Sequence, residues 1–291
     1  MMEATLQWGG FVQDIIPEAN INGDLAWKPF EEGTTVKGGF KEMVSHYRIN
    51  AQGYNSLLDY EQETASLKLR IALIGDSYIQ GFQNHVEHSI GRWTENACKH
   101  QIVVHEFGRA RGNLHDFKAI YEEEVAGQQY DFVFVLITAN DLKQPKASFK
   151  GLGRKADQIV AHQDNWPNQM AIKHYLLGTH GLIEKVDRLR AKLLFDSSIK
   201  KNQLALDPDC LNDFGTEVFF LYETKHLKPH LLNLPGNRFV EIIHVREPYD
   251  HGFDPHWNLN GRKNCADAIV GKINSLTLFK PQNEDNRIKK T

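Results

Sequence analysis

Cysteine is scarce in this 291-residue chain. Cys98, Cys210 and Cys265 are odd in number and far apart, a pattern of reduced, mostly buried thiols rather than of a disulfide framework. Long apolar runs are missing as well. No segment approaches the roughly 18 consecutive apolar residues of a spanning helix, so no membrane-spanning segment is expected. A net charge of −3 without a sustained basic stripe gives no reason to expect nucleic acid as a partner. There are 14 histidines, yet no HExxH and no CxxC pair, and Pro229 breaks helical spacing between His226 and His230. His85 and His88, three apart, and His251 and His256, flanking Asp254, read as surface or loop histidines; neither a metal nor a cofactor is expected. No internal repeat or low-complexity tract is present. The opening MMEATLQWGGFVQDII lacks a basic region followed by an apolar core, so the chain as it stands is expected to be cytoplasmic, and exported only if an N-terminal signal was removed.

What is present fits one large α/β domain, since this length can bury a full core. Short apolar runs at 71–75, 102–106, 132–137, 217–222 and 239–244 read as buried parallel strands. Helical segments alternate with them, notably 89–100, 116–127 and 265–276, which argues for right-handed βαβ units in a three-layer α/β/α sandwich. Residues 1–45, with Gly33, Gly38 and Gly39, read as a loop and edge-strand extension wrapped on a core domain of residues 46–280. The polar tail 281–291 is expected to fray. The run Glu122 to Glu124 reads as a solvated helix face.

The segment IALIGDSYIQG (71–81) is the most informative one. A buried strand delivers Gly-Asp-Ser into a turn that opens a helix: Gly75 permits a sharp exit, and Ser77 lands where backbone N–H groups and the helix dipole favour negative charge. Such a serine could attack a carbonyl while nearby N–H groups hold the oxyanion. The alternative reading is that Asp76-Ser77 is an ordinary helix N-cap.

Three further segments follow in order. VVHEFGRARGN (103–113) ends its apolar run at Gly108, FVFVLITANDL (132–142) ends at Asn140-Asp141, and FDPHWNLNGRK (253–263) carries Asp254 and His256. Over roughly residues 45–275 this ordered set resembles the SGNH/GDSL hydrolase family, and the last block resembles a bacterial subgroup with a D-x-H-W-N arrangement; YRINAQGYNSLLDYE (47–61) is similar to a segment preceding the first block in such a subgroup. The resemblance implies a five-stranded parallel sheet in flavodoxin-like order and a serine esterase. Ser77 would be the nucleophile, His256 its base and Asp254 the acid that sets the histidine's tautomer. The backbone N–H groups of Ser77 and Gly108 and the side-chain amide of Asn140 would form the oxyanion hole, each at the C-terminal end of a predicted strand.

The chain also departs from that pattern. Thr138 stands where the third block has glycine, Arg111 where the second block has its second glycine, and Phe253 where the last block commonly has its aspartate. Asp250 therefore remains an alternative to Asp254, and Arg109 or Arg111 is a candidate for the pocket mouth. Between the third and fourth strands lie roughly eighty residues, far more than a crossover helix needs, so the large insertion at about 142–213 is expected to fold over the sheet's C-terminal edge and set substrate choice. It contains Trp166, a candidate for stacking on a sugar ring or for anchoring a loop, and an apolar helical stripe at 180–195 that reads as a packing face.

Two function classes stand after this reading. One is a serine esterase acting through an acyl-enzyme on a small acyl ester, acetyl before others and possible on a carbohydrate, with an O-acyltransferase as a variant of the same site. The other is a non-catalytic carbohydrate-binding module of the same fold.

Overall fold

The computed structural model describes residues 17–19, 25–37, 40–60, 68–110, 112–138, 141, 211, 214–215, 217–223, 238–252 and 254–276. The expected insertion, apart from Leu211, lies outside them, as do the tail and Arg111, Asn140, Trp166, Cys210 and Phe253.

Two small antiparallel pairs come first, β1 (Pro17–Ala19) with β2 (Leu25–Trp27) and β3 (Glu32–Lys37) with β4 (Met43–Arg48). The β3–β4 hairpin forms a sheet of its own rather than an edge of the main one. It is fastened to the loop 81–85: Thr35 Oγ1 donates to the Phe82 carbonyl at 2.6 Å, Ser45 Oγ donates to the same oxygen, and Tyr47 sets its ring edge-on to Phe82, as does Trp27 of β2.

The main sheet has five parallel strands: β5 (Leu69–Gly75), β6 (Ile102–Gly108), β7 (Phe132–Ile137), β8 (Val218–Glu223) and β9 (Phe239–Ile242). Their spatial order is β6-β5-β7-β8-β9, the flavodoxin-like order implied by the sequence blocks. Each expected strand is present within two residues at either end. The inner strands β5 and β7 are buried on both faces over most of their length, which is why their sequences read as apolar runs instead of alternating ones.

Alternation returns when the faces are separated. Ala72, Ile74, Val133, Val135, Val218 and Phe220 point to one side, against Phe117 and Ile120 of the helix Leu114–Ile120. Ile71, Leu73, Phe134, Leu136, Phe219 and Leu221 point to the other, against the helices Ile90–Ala97 and Leu259–Ser275. The helices among the described residues are α1 (Ser77–Gln80), α2 (Ile90–Ala97), α3 (Leu114–Ile120), continued by a π turn at Tyr121–Val125, and α4 (Leu259–Ser275). Full burial of a side chain such as Phe134 or Leu136 contributes about 1.5–3 kcal/mol, so both layers are held chiefly by these contacts.

Local sequence explains the helix starts. Ser89 caps α2, Asn113 and Asp116 form a reciprocal capping box on α3, and Asn258 caps α4 by accepting from the N–H groups of Asn260 and Gly261. That last cap starts α4 six residues before the expected boundary at Cys265. Its buried stripe runs through Arg262, Cys265, Ala266, Ile269 and Ile273 at helical spacing. Cys98 and Cys265 are buried free thiols. Among the described residues no helix is long and apolar enough to cross a membrane.

Candidate active site

Ser77 is the first residue of α1, directly beyond the C-terminal end of β5. Asp76 caps this turn, its Oδ1 accepting from the Tyr78 N–H at 2.9 Å. The helix is a single turn, closed by Gly81 at φ 65°, so its dipole is small and any help to an anion must come from individual N–H groups. Gly75 does not adopt a left-handed conformation; a Cβ there would meet Ile79 Cγ1 at 2.5 Å. The glycine is therefore required by the folding back of α1 onto β5, and the expected conformational reason does not apply.

His256 reaches the serine from the other end of the chain. Its Nε2 is 2.8 Å from Ser77 Oγ across 179 residues of sequence. Its Nδ1 is hydrogen-bonded to Asp254 Oδ1, which also accepts from the His256 backbone N–H at 2.9 Å. Asp254 Oδ2 accepts from Lys37 Nζ at 2.6 Å. Burial, the largest influence on Asp254, would raise its pKa; the hydrogen bonds from His256 and Lys37 outweigh it and hold the carboxyl well below its usual range. An ionised carboxylate only accepts, so Nδ1 carries the imidazole proton and Nε2 is left to accept from the serine hydroxyl. Asp250 is engaged elsewhere: its Oδ1 accepts from the Gly252 N–H at 2.8 Å.

The segment bearing His256 is held from several elements. Tyr78 Oη donates to the Pro255 carbonyl at 3.1 Å, and its ring lies 5.1 Å from that of His256. Asn84 Nδ2 donates to the Trp257 carbonyl at 2.8 Å, and Trp257 Nε1 donates to Glu223 Oε1 at 2.6 Å, at the end of β8. Asn258 ties back to the carbonyls of Pro248 and Asp250 at 2.9 and 2.7 Å. The D-x-H-W-N string thus contains, besides Asp254 and His256, two residues that anchor it.

Gly108 lies opposite Gly75 in the β5–β6 register. A Cβ at Gly108 would fall 2.2 Å from the Gln80 backbone nitrogen and 2.7 Å from the Ile79 carbonyl carbon, so this position must be bare for α1 to rest on β6. Beyond β7, Asp141 is buried and its Oδ2 accepts from the Thr138 backbone N–H and hydroxyl at 2.5 and 2.9 Å. The Thr138 hydroxyl, which a glycine would lack, thus supplies one of the bonds on Asp141; Asn140 lies outside the described residues. Burial, then the nearby charge of Asp76, pushes the Asp141 pKa up to about 8, and burial raises Asp76 to about 6.

Arg109 does not open onto the serine. Its guanidinium lies over the Tyr54 ring, 5.0 Å from the centroid, with Nη2 3.0 Å from Tyr54 Oη and 3.4 Å from Glu124 Oε1. Glu124 also accepts from Tyr54 Oη at 2.7 Å, so of the acidic run only Glu122 and Glu123 are exposed as expected. Sequence reasoning missed Lys37 and Glu223, whose partners lie far along the chain. Among the described residues no group of three or more His, Cys, Asp or Glu is placed to hold a metal ion.

No protein-family model and no curated protein matches the sequence. Among solved structures, the chain is similar to an acetylxylan esterase from Geobacillus stearothermophilus, at 16% identity over 71% of this chain and 95% of that one, with a TM-score of 0.34. It is also similar to a carbohydrate acetylesterase family member from Sinorhizobium meliloti, at 10% identity over 72% and 98%, with a TM-score of 0.34. A member of the lipolytic protein G-D-S-L family from Veillonella parvula matches at 10% identity over 70% and 97%, with a TM-score of 0.33.

Proposed function

We propose that this chain is a serine esterase that hydrolyses a small acyl ester through an acyl-enzyme. The observation that carries the reading is the continuous hydrogen-bonded line Ser77–His256–Asp254, drawn from opposite ends of the sequence to the C-terminal edge of the sheet. A serine hydroxyl is a weak nucleophile until a base takes its proton. In the proposed reaction Ser77 Oγ attacks the ester carbonyl as its proton passes to His256 Nε2. Asp254 then stabilises the imidazolium, and His256 returns the proton to the departing alcohol oxygen. Water attacks the acyl-enzyme by the same route in reverse order, releasing the acid. The oxyanion formed at each stage would be met by the N–H groups of Ser77 and Gly108 and by the Asn140 amide. An acetyl group on a carbohydrate is the substrate implied by the resemblance of the four sequence blocks.

A binding module has no use for a tautomer-fixed histidine against a serine hydroxyl, which weighs against the non-catalytic alternative. The test is labelling by a fluorophosphonate, with p-nitrophenyl acetate and acetylated sugars as substrates. Wild-type protein should be labelled at Ser77 and hydrolyse an acetyl ester, whereas Ser77→Ala should do neither. Absence of Ser77-dependent labelling and turnover refutes the esterase reading.

A further inference from the structure

We propose that Lys37, on the β3–β4 hairpin, is a positioning residue for ester turnover: its ammonium holds the Asp254 carboxylate in the orientation that fixes His256. The inference rests on Ser77, His256 and Asp254 acting as nucleophile, base and acid.

The geometry divides the carboxylate between two jobs. Oδ1 takes both donors from His256, the ring Nδ1 and the backbone N–H. Oδ2 takes Lys37 Nζ at 2.6 Å. A planar group bonded at both oxygens cannot turn about its Cβ–Cγ bond without breaking a charge-assisted hydrogen bond. Held at Oδ1 alone, it could swing and carry the imidazole with it.

Burial makes this pair different from an ordinary surface ion pair. The Asp254 side chain is 3% exposed and that of Lys37 34%. Exposed pairs contribute little because water serves each ion nearly as well. A carboxylate taken out of water needs a counter-charge and a donor for each oxygen, and removing one partner leaves a costly buried charge.

Lys37 is delivered to this place by a fastened strand. It pairs with Met43 at the end of the hairpin register, two residues beyond Thr35, whose hydroxyl donates to the Phe82 carbonyl at 2.6 Å. Ser45 on the opposite strand donates to the same oxygen, and Asn55 Nδ2 reaches the Gln80 carbonyl at 2.8 Å. The hairpin and the segment after it therefore grip the chain just past the nucleophile turn, while Lys37 grips the acid 217 residues away. One accessory element thus sets the spacing of the two loops that must meet.

The test compares Lys37→Met and Lys37→Arg with wild type and Ser77→Ala, using full-length protein and p-nitrophenyl acetate. Lys37→Met should lower kcat about ten- to a hundredfold, the worth of a hydrogen bond to a charged group, and Lys37→Arg should recover most of it. KM should change by less than about twofold, because Lys37 is not proposed to touch substrate. In protein carrying ¹⁵N-histidine, the low-field Nδ1–H resonance of His256 should be sharp in wild type and Lys37→Arg and shifted or broadened in Lys37→Met. Three results overturn the proposal: an unchanged kcat and resonance in Lys37→Met, a loss confined to KM, or a loss of activity that only tracks the unfolded fraction. If wild type shows no Ser77-dependent turnover, the esterase reading falls and takes the catalytic role of Lys37 with it. The resonance then separately accepts or rejects the hold of Lys37 on the Asp254–His256 pair.

Discussion

Replacing Gly108 by alanine adds one carbon atom at the place where β6 meets the turn bearing Ser77. That carbon would stand 2.2 Å from the Gln80 nitrogen, 2.6 Å from its Cα and 2.7 Å from the Ile79 carbonyl carbon. Favourable contacts between such atoms lie near 3.5–4.0 Å, so something must move by about 1 Å. The obstructing atoms are backbone, so no side-chain rotation relieves the clash. The turn is also held from behind, where Ile79 is fully buried against the second face of the sheet. Overpacking of this kind costs about 1–3 kcal/mol of stability, and a displacement of about 1 Å in a reacting group lowers turnover by about a hundredfold. Alanine keeps the backbone N–H, so any loss reports the position of the turn bearing Ser77 rather than deletion of the proposed oxyanion donor. Thermal unfolding followed by circular dichroism, with kcat for p-nitrophenyl acetate, is the assay. A Gly108→Ala protein with wild-type stability and wild-type kcat refutes the steric argument.

Two other perturbations test separate parts of the site. Asp254→Asn should lower kcat by about ten-thousandfold with little change in KM, because it disturbs the tautomer that leaves Nε2 free to accept, while Asp250→Asn should have a small effect; steady-state kinetics of the two variants would move the acid to Asp250 if the ranking reversed. Asp141, whose folded pKa is raised to about 8 against about 4 in the unfolded chain, binds a proton in the native state that the unfolded state has lost between those pH values, so its contribution to stability falls as pH rises through that window. Asp141→Asn, which stays neutral, should therefore gain stability relative to wild type between pH 5 and 8 in urea unfolding; a difference that is flat with pH would show that Asp141 is already ionised.

Most of the fold was legible because its signals are local. Five buried strands appear as five apolar runs, and the caps Ser89, Asn113 and Asn258 act on N–H groups within three residues. That Ser77, Asp254 and His256 would be brought together was also legible, since Gly-Asp-Ser after a strand and D-x-H-W-N near the C-terminus are short, distinctive strings. The choice between Asp254 and Asp250 was not, because both stand a few residues from His256. Only the folded structure sets one carboxylate on the imidazole and the other on the Gly252 N–H.

The sequence by itself determined what depends on neighbours along the chain: which segments are strands, which serine is presented at a strand end, and which residues begin each helix. Tertiary structure alone decided which distant groups meet. Gly75 read as a turn glycine and Gly108 as a backbone donor, but both must be bare because α1 rests on both strands at less than the width of a methyl group. Thr138 looked like drift and is a donor to Asp141. Lys37 carried no signal, since a lysine in a Gly-rich N-terminal stretch is ordinary until folding sets its ammonium against a buried carboxylate. Pairings of this kind are fixed by how the hairpin, the turn bearing Ser77 and the C-terminal loop pack together, and residues far apart in sequence leave no periodicity by which one chain could reveal them.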